Sequence, residues 1–389
     1  MRIGIDARFL THPQRGGFKT YTENLTTALA RVDSENEYML YLDRQPGPQD
    51  RLPDKENFRF HVVSSSVPMF GLPWREQIKL TRQVWKDRID VFHAPCLTAP
   101  LNLSCPFVIT VHDMIWASRK NFTSNESLSL KRRFIDWYNY LIPNMAIRRA
   151  SVIITVSHAS QKSIVETLQI KADQVIVTHE AADSIFQPLG NINQIESVRS
   201  KYDLGSNYIL AIGSADPRKN IKLLIQAYGS LSKALREKYH LVIVWTHPFL
   251  TNEMSKQVND LGLQNNVQFL RRVSNADLVL LYNAASLFVF PSRSEGFGLP
   301  LLEAMSCGVP VVAADNSSIP EVVCDAAFLF DAENIDSLSQ VLIRVLNDEI
   351  LMKTMSTKGI ERAAKFSWDK CANETIAVYK SLYGTRNFS

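Results

Sequence analysis

Residues 287–310 read LFVFPSRSEGFGLPLLEAMSCGVP. Four apolar β-formers at 287–290 predict a buried strand. A polar loop follows, carrying Gly296 and Gly298. Pro300 then opens a helix over 301–305. Proline suits the first helical position, where its missing N–H would have no partner. The amides bared at a helix start, with the positive end of the helix dipole, form an anion site. The two glycines let the backbone approach a ligand closely. Phosphate is the natural ligand of such a turn.

Two carboxylates flank it. Glu295 lies in the loop, and Glu303 is expected in the first helical turn, where the dipole favours a negative charge. Either one alone reads as an ordinary loop or helix-start charge. Together, around a strand–glycine–proline–helix turn, they point to a site, because acids beside a phosphate cradle hydrogen-bond sugar hydroxyls. Two carboxylates can also act as the acid and nucleophile of a glycosidase. The phosphate-type turn next to them favours a sugar nucleotide over a glycan to be cleaved.

A second constellation is GSADPRKN at 213–220, where a strand ends and a helix begins. Ligands of open α/β sheets bind beyond the carboxyl ends of the strands. Arg218 and Lys219, which follow Gly213 in the turn, are therefore placed to clamp a diphosphate, Arg in a bidentate way and Lys as a point charge. The alternative, a solvated basic helix start, has an electrostatic cost, since cations there oppose the dipole. Earlier in the chain, 15–17 forms a short Gly-Gly loop that includes Gly17. No G-x-G-x-x-G occurs anywhere, which counts against an NAD oxidoreductase. His112 and Asp113 end a strand, as does His93. A histidine there can serve acid–base chemistry, but a lone one is more often structural.

The rest of the chain repeats the strand–helix alternation. Strand-like runs recur at 2–6, 38–42, 59–63, 91–93, 107–112, 152–156 and 174–178, then at 208–213, 240–245, 267–270, 287–291, 309–313 and 327–330. Helical runs include 19–31, 74–86, 126–149, 159–168, 221–235, 278–285 and a last one at 367–383. Such alternation argues for parallel sheets with helical crossovers. Thirteen strands fit two Rossmann-like sheets better than one. The boundary is expected within 181–194, which carries Pro188 and Gly190.

Composition bounds the function. The 389 residues are 46 % hydrophobic and 21 % charged, which excludes global disorder. The net charge of +4 is too mild for a nucleic-acid binder. The five cysteines are scattered and lack a C-x-x-C pair, as in a reduced intracellular protein without a disulfide framework or zinc site. No apolar run is long enough to span a membrane, and no apolar signal region opens the chain. A cytoplasmic location is expected, with peripheral membrane contact as a further option. The stretch 131–149 motivates that option: it carries Lys131, Arg132, Arg133, Arg148 and Arg149 with Phe134, Trp137, Tyr138 and Tyr140. Basic, aromatic helices lie on anionic lipid, although an ordinary helix packed on a sheet reads the same way. The segment 67–74, VPMFGLPW, adds apolar surface.

These residues resemble the retaining glycosyltransferases of family 4, the glycosyl transferases group 1, over nearly the whole chain. The most specific likeness is EGFGLPLLEA with GVPVVA across 295–313. Supporting marks are the Gly-Gly loop, His112–Asp113, TVSHAS at 155–160, the PRKN turn and FSWDKCANETIAVYKSLY at 366–383. The resemblance implies the α/β GT-B fold, with two Rossmann-like domains whose parallel sheets face across a cleft. Residues 1–185 would form the acceptor-binding domain, joined by a C-terminal helix at 368–389 that crosses back to it. Residues 186–367 would form the nucleotide-sugar domain.

By the same resemblance, Glu303 would hydrogen-bond the nucleotide's ribose, and Glu295 would contact hydroxyls of the transferred sugar. Phe297, Gly298 and Leu299 would offer amides to sugar and diphosphate. Lys219, with Arg218, would stabilise the departing diphosphate. Gly17 would let its loop approach the phosphates, and His112 would lie near the sugar. No metal or separate cofactor is expected; the donor is a GDP- or UDP-sugar, GDP-mannose ahead of UDP-glucose. The expected reaction moves a hexose with retention to a glycan or lipid-linked acceptor in surface polysaccharide or glycolipid synthesis. Ser214 departs from many members, which carry Arg directly after the glycine; Arg218 would supply that charge. A sugar-nucleotide epimerase of similar fold and a non-catalytic nucleotide-sugar-binding subunit are the competing readings. No oligomeric state is assigned.

Overall fold

The structure, a computed structural model, describes every residue except 14–15, 65–70, 118–129, 248–249 and 387–389, and describes no side chains at 130–136 or 385–389. The chain divides into two compact units, Met1–Glu180 with Ser367–Ser389, and Ala181–Phe366.

The first unit holds a seven-stranded sheet in the order β3-β2-β1-β4-β5-β6-β7. Its strands are β1 (Arg2–Ile5), β2 (Glu37–Leu42), β3 (Phe58–Val62), β4 (Val91–Ala94), β5 (Phe107–Val111), β6 (Val152–Thr155) and β7 (Val175–Val177). The second unit holds six strands in the order β10-β9-β8-β11-β12-β13. These are β8 (Tyr208–Gly213), β9 (His240–Trp245), β10 (Val267–Arg271), β11 (Leu287–Phe290), β12 (Val311–Ala314) and β13 (Ala327–Phe330). Every pairing is parallel. Central strands of such sheets are covered on both faces, so they read as unbroken apolar runs. All four residues of β11 are fully buried.

Both sheets reverse their strand order beside their first strand, between β1 and β4 and between β8 and β11. At such a switch point the two flanking crossovers leave in opposite directions and open a crevice beyond the carboxyl ends. The GSADPRKN and PSRSEGFG segments leave β8 and β11, so sheet topology places them together.

The last helix, Trp368–Arg386, belongs to the first unit. It lies along the Gly17–Val32 helix: Arg31 pairs with Asp369, and the Trp368 and Tyr21 rings meet edge-on at 5.8 Å. Tyr379 reaches β4, its hydroxyl 2.6 Å from His93 Nδ1.

Several expected helices are reshaped. The run 74–86 is not one α-helix; a π-helical segment, Arg75–Leu80, interrupts it between Gly71–Trp74 and Thr81–Lys86. The run 221–235 breaks after Gly229 and resumes at Lys233–Lys238, capped by Ser232. The helix expected over 126–149 is seen as Leu130–Arg149, with 126–129 outside the described residues. Arg15 and residues 67–70 also lie outside them. Among the described residues, no helix is long and apolar enough to cross a membrane.

Candidate functional site

Gly213 closes β8. A Cβ there would stand 2.5 Å from Ile221 Cγ1, so the glycine lets the Ile221–Gly229 helix pack tightly on the sheet. The next turn is built by Asp216, whose carboxylate accepts from the Arg218 amide at 3.0 Å and from Arg218 Nε at 3.2 Å. This ties down the Arg218 guanidinium, which pairs with Asp216 and is about one-third exposed. Arg218 and Lys219 lie in the short turn Pro217–Lys219, ahead of the helix rather than in its first turn. The dipole penalty anticipated for them is therefore reduced.

Lys219 Nζ donates to Glu295 Oε1 at 2.7 Å and lies 5.5 Å from the Phe290 ring centroid. Both side chains of the pair are mostly buried. The two motifs thus meet through a charge pair that fixes the ammonium at the mouth of the crevice. Across the turn, the Ser317 hydroxyl accepts from the Glu295 amide at 3.0 Å. The Ser318 hydroxyl donates to the carbonyls of Glu295 and Phe297 at 3.1 and 2.9 Å. Phe297 buries its ring against Phe366, leaving only its backbone for the site.

Gly298 has φ +105°, a conformation that glycine reaches without strain, and caps the helix Leu299–Ser306. Among the described residues, no protein group accepts from the amides of Gly298 or Leu299. Pro300 occupies the second helical position, not the first. Glu303 lies beyond the first turn, which contains no acid, so the dipole does not explain it. Its Oε2 instead accepts from the Tyr282 hydroxyl at 3.0 Å. Burial pushes its pKa up to about 7; the Tyr282 hydrogen bond opposes that rise and the Asp183 carboxylate adds to it. Some of the residue still reaches solvent.

Gly17 and His112 belong to the first unit. Gly17 opens its helix, and a Cβ there would meet nothing within 4 Å. His112 Nδ1 lies 3.2 Å from Glu180 Oε1, and its ring packs edge-on against Tyr21 at 4.7 Å. His93 is structural: it is fully buried between Tyr379 and the Thr110 hydroxyl, which lies 2.8 Å from Nε2. Burial above all, with His112 beside it, lowers its pKa to about 3, so it is neutral.

Sequence reasoning missed a buried polar network at the β1/β4 switch point. Arg75 Nη2 bonds Asp6 Oδ1 at 2.9 Å, and Arg8 Nη1 bonds Glu76 Oε2 at 2.9 Å. Glu76 also accepts from the hydroxyls of Thr98 and Tyr138, both at 2.5 Å. Burial works to raise the Asp6 pKa, but Arg75 and Arg8 outweigh it and hold the carboxyl low. Two cations and two anions balance. The network borders a cavity of about 530 Å³ lined by Arg8, Phe9, His12, Asp43, Arg75 and Trp116 among others. Burying charge is costly even when paired. The available signal was Arg75–Glu76, two adjacent charges inside an otherwise amphipathic run.

Residues 193–362 match the family described as glycosyl transferases group 1, and residues 15–184 match glycosyltransferase family 4. O-antigen chain mannosyltransferase B of Escherichia coli is 33 % identical over 345 residues, covering 86 % of this chain and 88 % of that protein. The sucrose-phosphate synthase structure from Thermosynechococcus elongatus superposes with a TM-score of 0.76 at 18 % identity, covering 99 % of both chains. The Anabaena HepE structure in complex with UDP-glucose gives 0.73 at 20 %, covering 98 % of this chain and 99 % of that one.

Proposed function

Since the chain belongs to the group 1 glycosyltransferases of family 4 and has their GT-B fold, we propose that it transfers mannose from GDP-mannose to a growing glycan, with retention at the anomeric carbon. The observation that carries this reading is the Lys219–Glu295 pair set beside the Gly298-capped helix at the β8/β11 switch point.

The chemistry follows from where charge develops. As the bond from the anomeric carbon to phosphate lengthens, negative charge grows on the departing diphosphate. Lys219 and the amides of Gly298 and Leu299 are preorganised to receive it, and positive charge fixed in advance is the largest lever a protein has on such a step. They supply the charge compensation that a metal ion gives in other transferases. Glu295 would accept from hydroxyls of the sugar, and its pairing with Lys219 keeps the ammonium from swinging into solvent. The acceptor would attack from the face the diphosphate leaves, with the departing phosphate oxygen taking its proton.

Glu303 would accept from the two hydroxyls of the donor's ribose. Tyr282 already occupies part of one carboxylate oxygen, which sets the orientation of the other. A carboxylate accepts both hydroxyls and a carboxylic acid does not. Donor KM is therefore expected to rise as pH falls through about 7. Glu303→Gln is expected to raise donor KM more than it lowers kcat.

The cavity at the β1/β4 switch point suits the acceptor. Its bordering charges balance, which favours a neutral sugar over an anion, and Phe9 and Trp116 offer flat apolar faces to a pyranose ring. The mannosyltransferase relative supports mannose and a polysaccharide product. The UDP-glucose bound by the HepE structure favours a second reading, glucosyl transfer from UDP-glucose.

Thermal unfolding with GDP, UDP and ADP in separate samples tests the donor. A nucleotide at 100 times its Kd adds about 2.7 kcal/mol to the folded state. A shift with GDP alone supports the proposal; a shift with UDP alone replaces mannose by the second reading; no shift with any nucleotide overturns both. Anomeric analysis of the product by NMR then checks retention.

A further inference from the structure

The stretch 71–88 of the first unit has two unlike faces. Inward it places Arg75, Glu76, Leu80 and Val84, all buried. Outward it places Trp74, Ile78, Arg82 and Trp85, separated by about one helical turn each. Trp85 is 68 % exposed, Trp74 43 % and Ile78 38 %. A single exposed apolar residue is ordinary, whereas a stripe of three with two tryptophans marks an interaction surface.

The charges of the same stretch are sorted by sign. Arg82, Lys86 and Arg88 are exposed. Both carboxylates are turned away: Glu76 is buried in the network with Arg8, and Asp87 is held by Tyr41, His61 and Gln83. Every fully exposed charge from 71 to 88 is therefore positive. A second copy of the chain docking face to face would oppose like charges, which disfavours a self-interface.

We propose that this face docks on the surface of an anionic phospholipid bilayer. Trp74, Ile78 and Trp85 would enter the boundary between headgroups and acyl chains, where indole rings partition best. Arg82, Lys86 and Arg88 would meet lipid phosphates. This face is separate from the stretch 131–149, where Trp137, Arg148 and Arg149 are also exposed. In that helix the side chains of Lys131, Arg132 and Arg133 lie outside the described residues, and Tyr138 faces the buried network. The inference does not rest on the identity of donor or acceptor, and its test reads binding alone.

The full chain is sedimented with phosphatidylethanolamine–phosphatidylglycerol vesicles, and separately with phosphatidylcholine vesicles, at low and high salt. The wild type is expected to pellet with the anionic vesicles at low salt and to be released by high salt. Arg82→Glu/Lys86→Glu/Arg88→Glu is expected to weaken binding at least a hundredfold, since each cation near the surface contributes about fivefold. Trp74→Ser/Trp85→Ser is expected to weaken it comparably, and both sets change side chains on the exposed face. Lys162→Glu/Lys233→Glu/Lys370→Glu, an equal charge change at exposed sites elsewhere, should keep binding. No pelleting of the wild type with anionic vesicles overturns the proposal, as does equal loss in the control variant. A vesicle-free dimer that disappears in the tryptophan variant also overturns it, because a second copy would then cover the face.

Discussion

Lys219 and Glu295 each hold the other's position, and that mutual restraint separates them from ordinary surface charges. Lys219→Ala is expected to lower kcat by about a hundredfold to a thousandfold, the usual loss for one preorganised charge on a leaving group. Initial rates with GDP-mannose measure it, and near-wild-type turnover would remove Lys219 from the mechanism. Glu303 makes a prediction about stability. Its folded pKa of about 7 exceeds its ordinary value of 4.5. The folded state therefore binds the proton more tightly than the unfolded one. The stability this contributes is fully present below pH 4.5 and is lost as pH rises through about 7. Glu303→Gln, which cannot ionise, should be more stable than the wild type by ~3 kcal/mol at pH 8 and gain almost nothing at pH 4.5. Urea unfolding at the two pH values reads the difference.

The glycines divide in the same way. Gly298 has a positive φ, and a Cβ there would stand 2.9 Å from Leu301 Cδ1, so Gly298→Ala should cost about 1–2 kcal/mol. At Gly17 a Cβ meets nothing, so Gly17→Ala should leave stability unchanged within about 0.5 kcal/mol. A fall in activity there without a fall in stability would mark close approach of a ligand.

Among elements, strands were legible and interruptions of helices were not. The central strands were legible because a parallel strand covered on both faces is apolar without a break, while the edge strands β3 (FRFHV) and β10 (VQFLR) mix polar residues into the run. The π-helical segment Arg75–Leu80 had no such signature. Its wider turn directs two consecutive charged residues, Arg75 and Glu76, into the protein, where Asp6 and Arg8 receive them. π segments of this kind recur at functional sites. Removing one partner of a buried pair leaves its mate uncompensated, so Glu76→Gln should cost about 3–5 kcal/mol in urea unfolding. The break after Gly229 is equally tertiary: the Tyr228 hydroxyl donates to the Tyr239 carbonyl at 2.9 Å, drawing the chain back towards β9.

For the whole chain, the recurrence of one strand order in both sheets explains why the informative loops lie where they do. Each sheet starts at its centre and grows outward in two directions, so each has one crevice, at β1/β4 and at β8/β11. The last helix then completes the first unit, against Tyr21, Arg31 and His93. Truncation after Phe366 should strip this cover. The first unit is expected to melt earlier by calorimetry, while the transition of the second unit stays in place.

The chain by itself settled what is local. Apolar runs made strands, Gly298 and Pro300 made a helix start, and the EGFGLP and PRKN segments stood out because steric and solvent preferences act on each residue wherever it lies. The fold alone decided which of these residues touch. Lys219 finds Glu295, Tyr282 finds Glu303, and Asp6 finds Arg75, each pair far apart in sequence. Those distances depend on strand order and on how each helix crosses its sheet. Burial then gave Glu303 a proton affinity that no spacing of residues could reveal, because desolvation is a property of the surroundings and not of the carboxyl group.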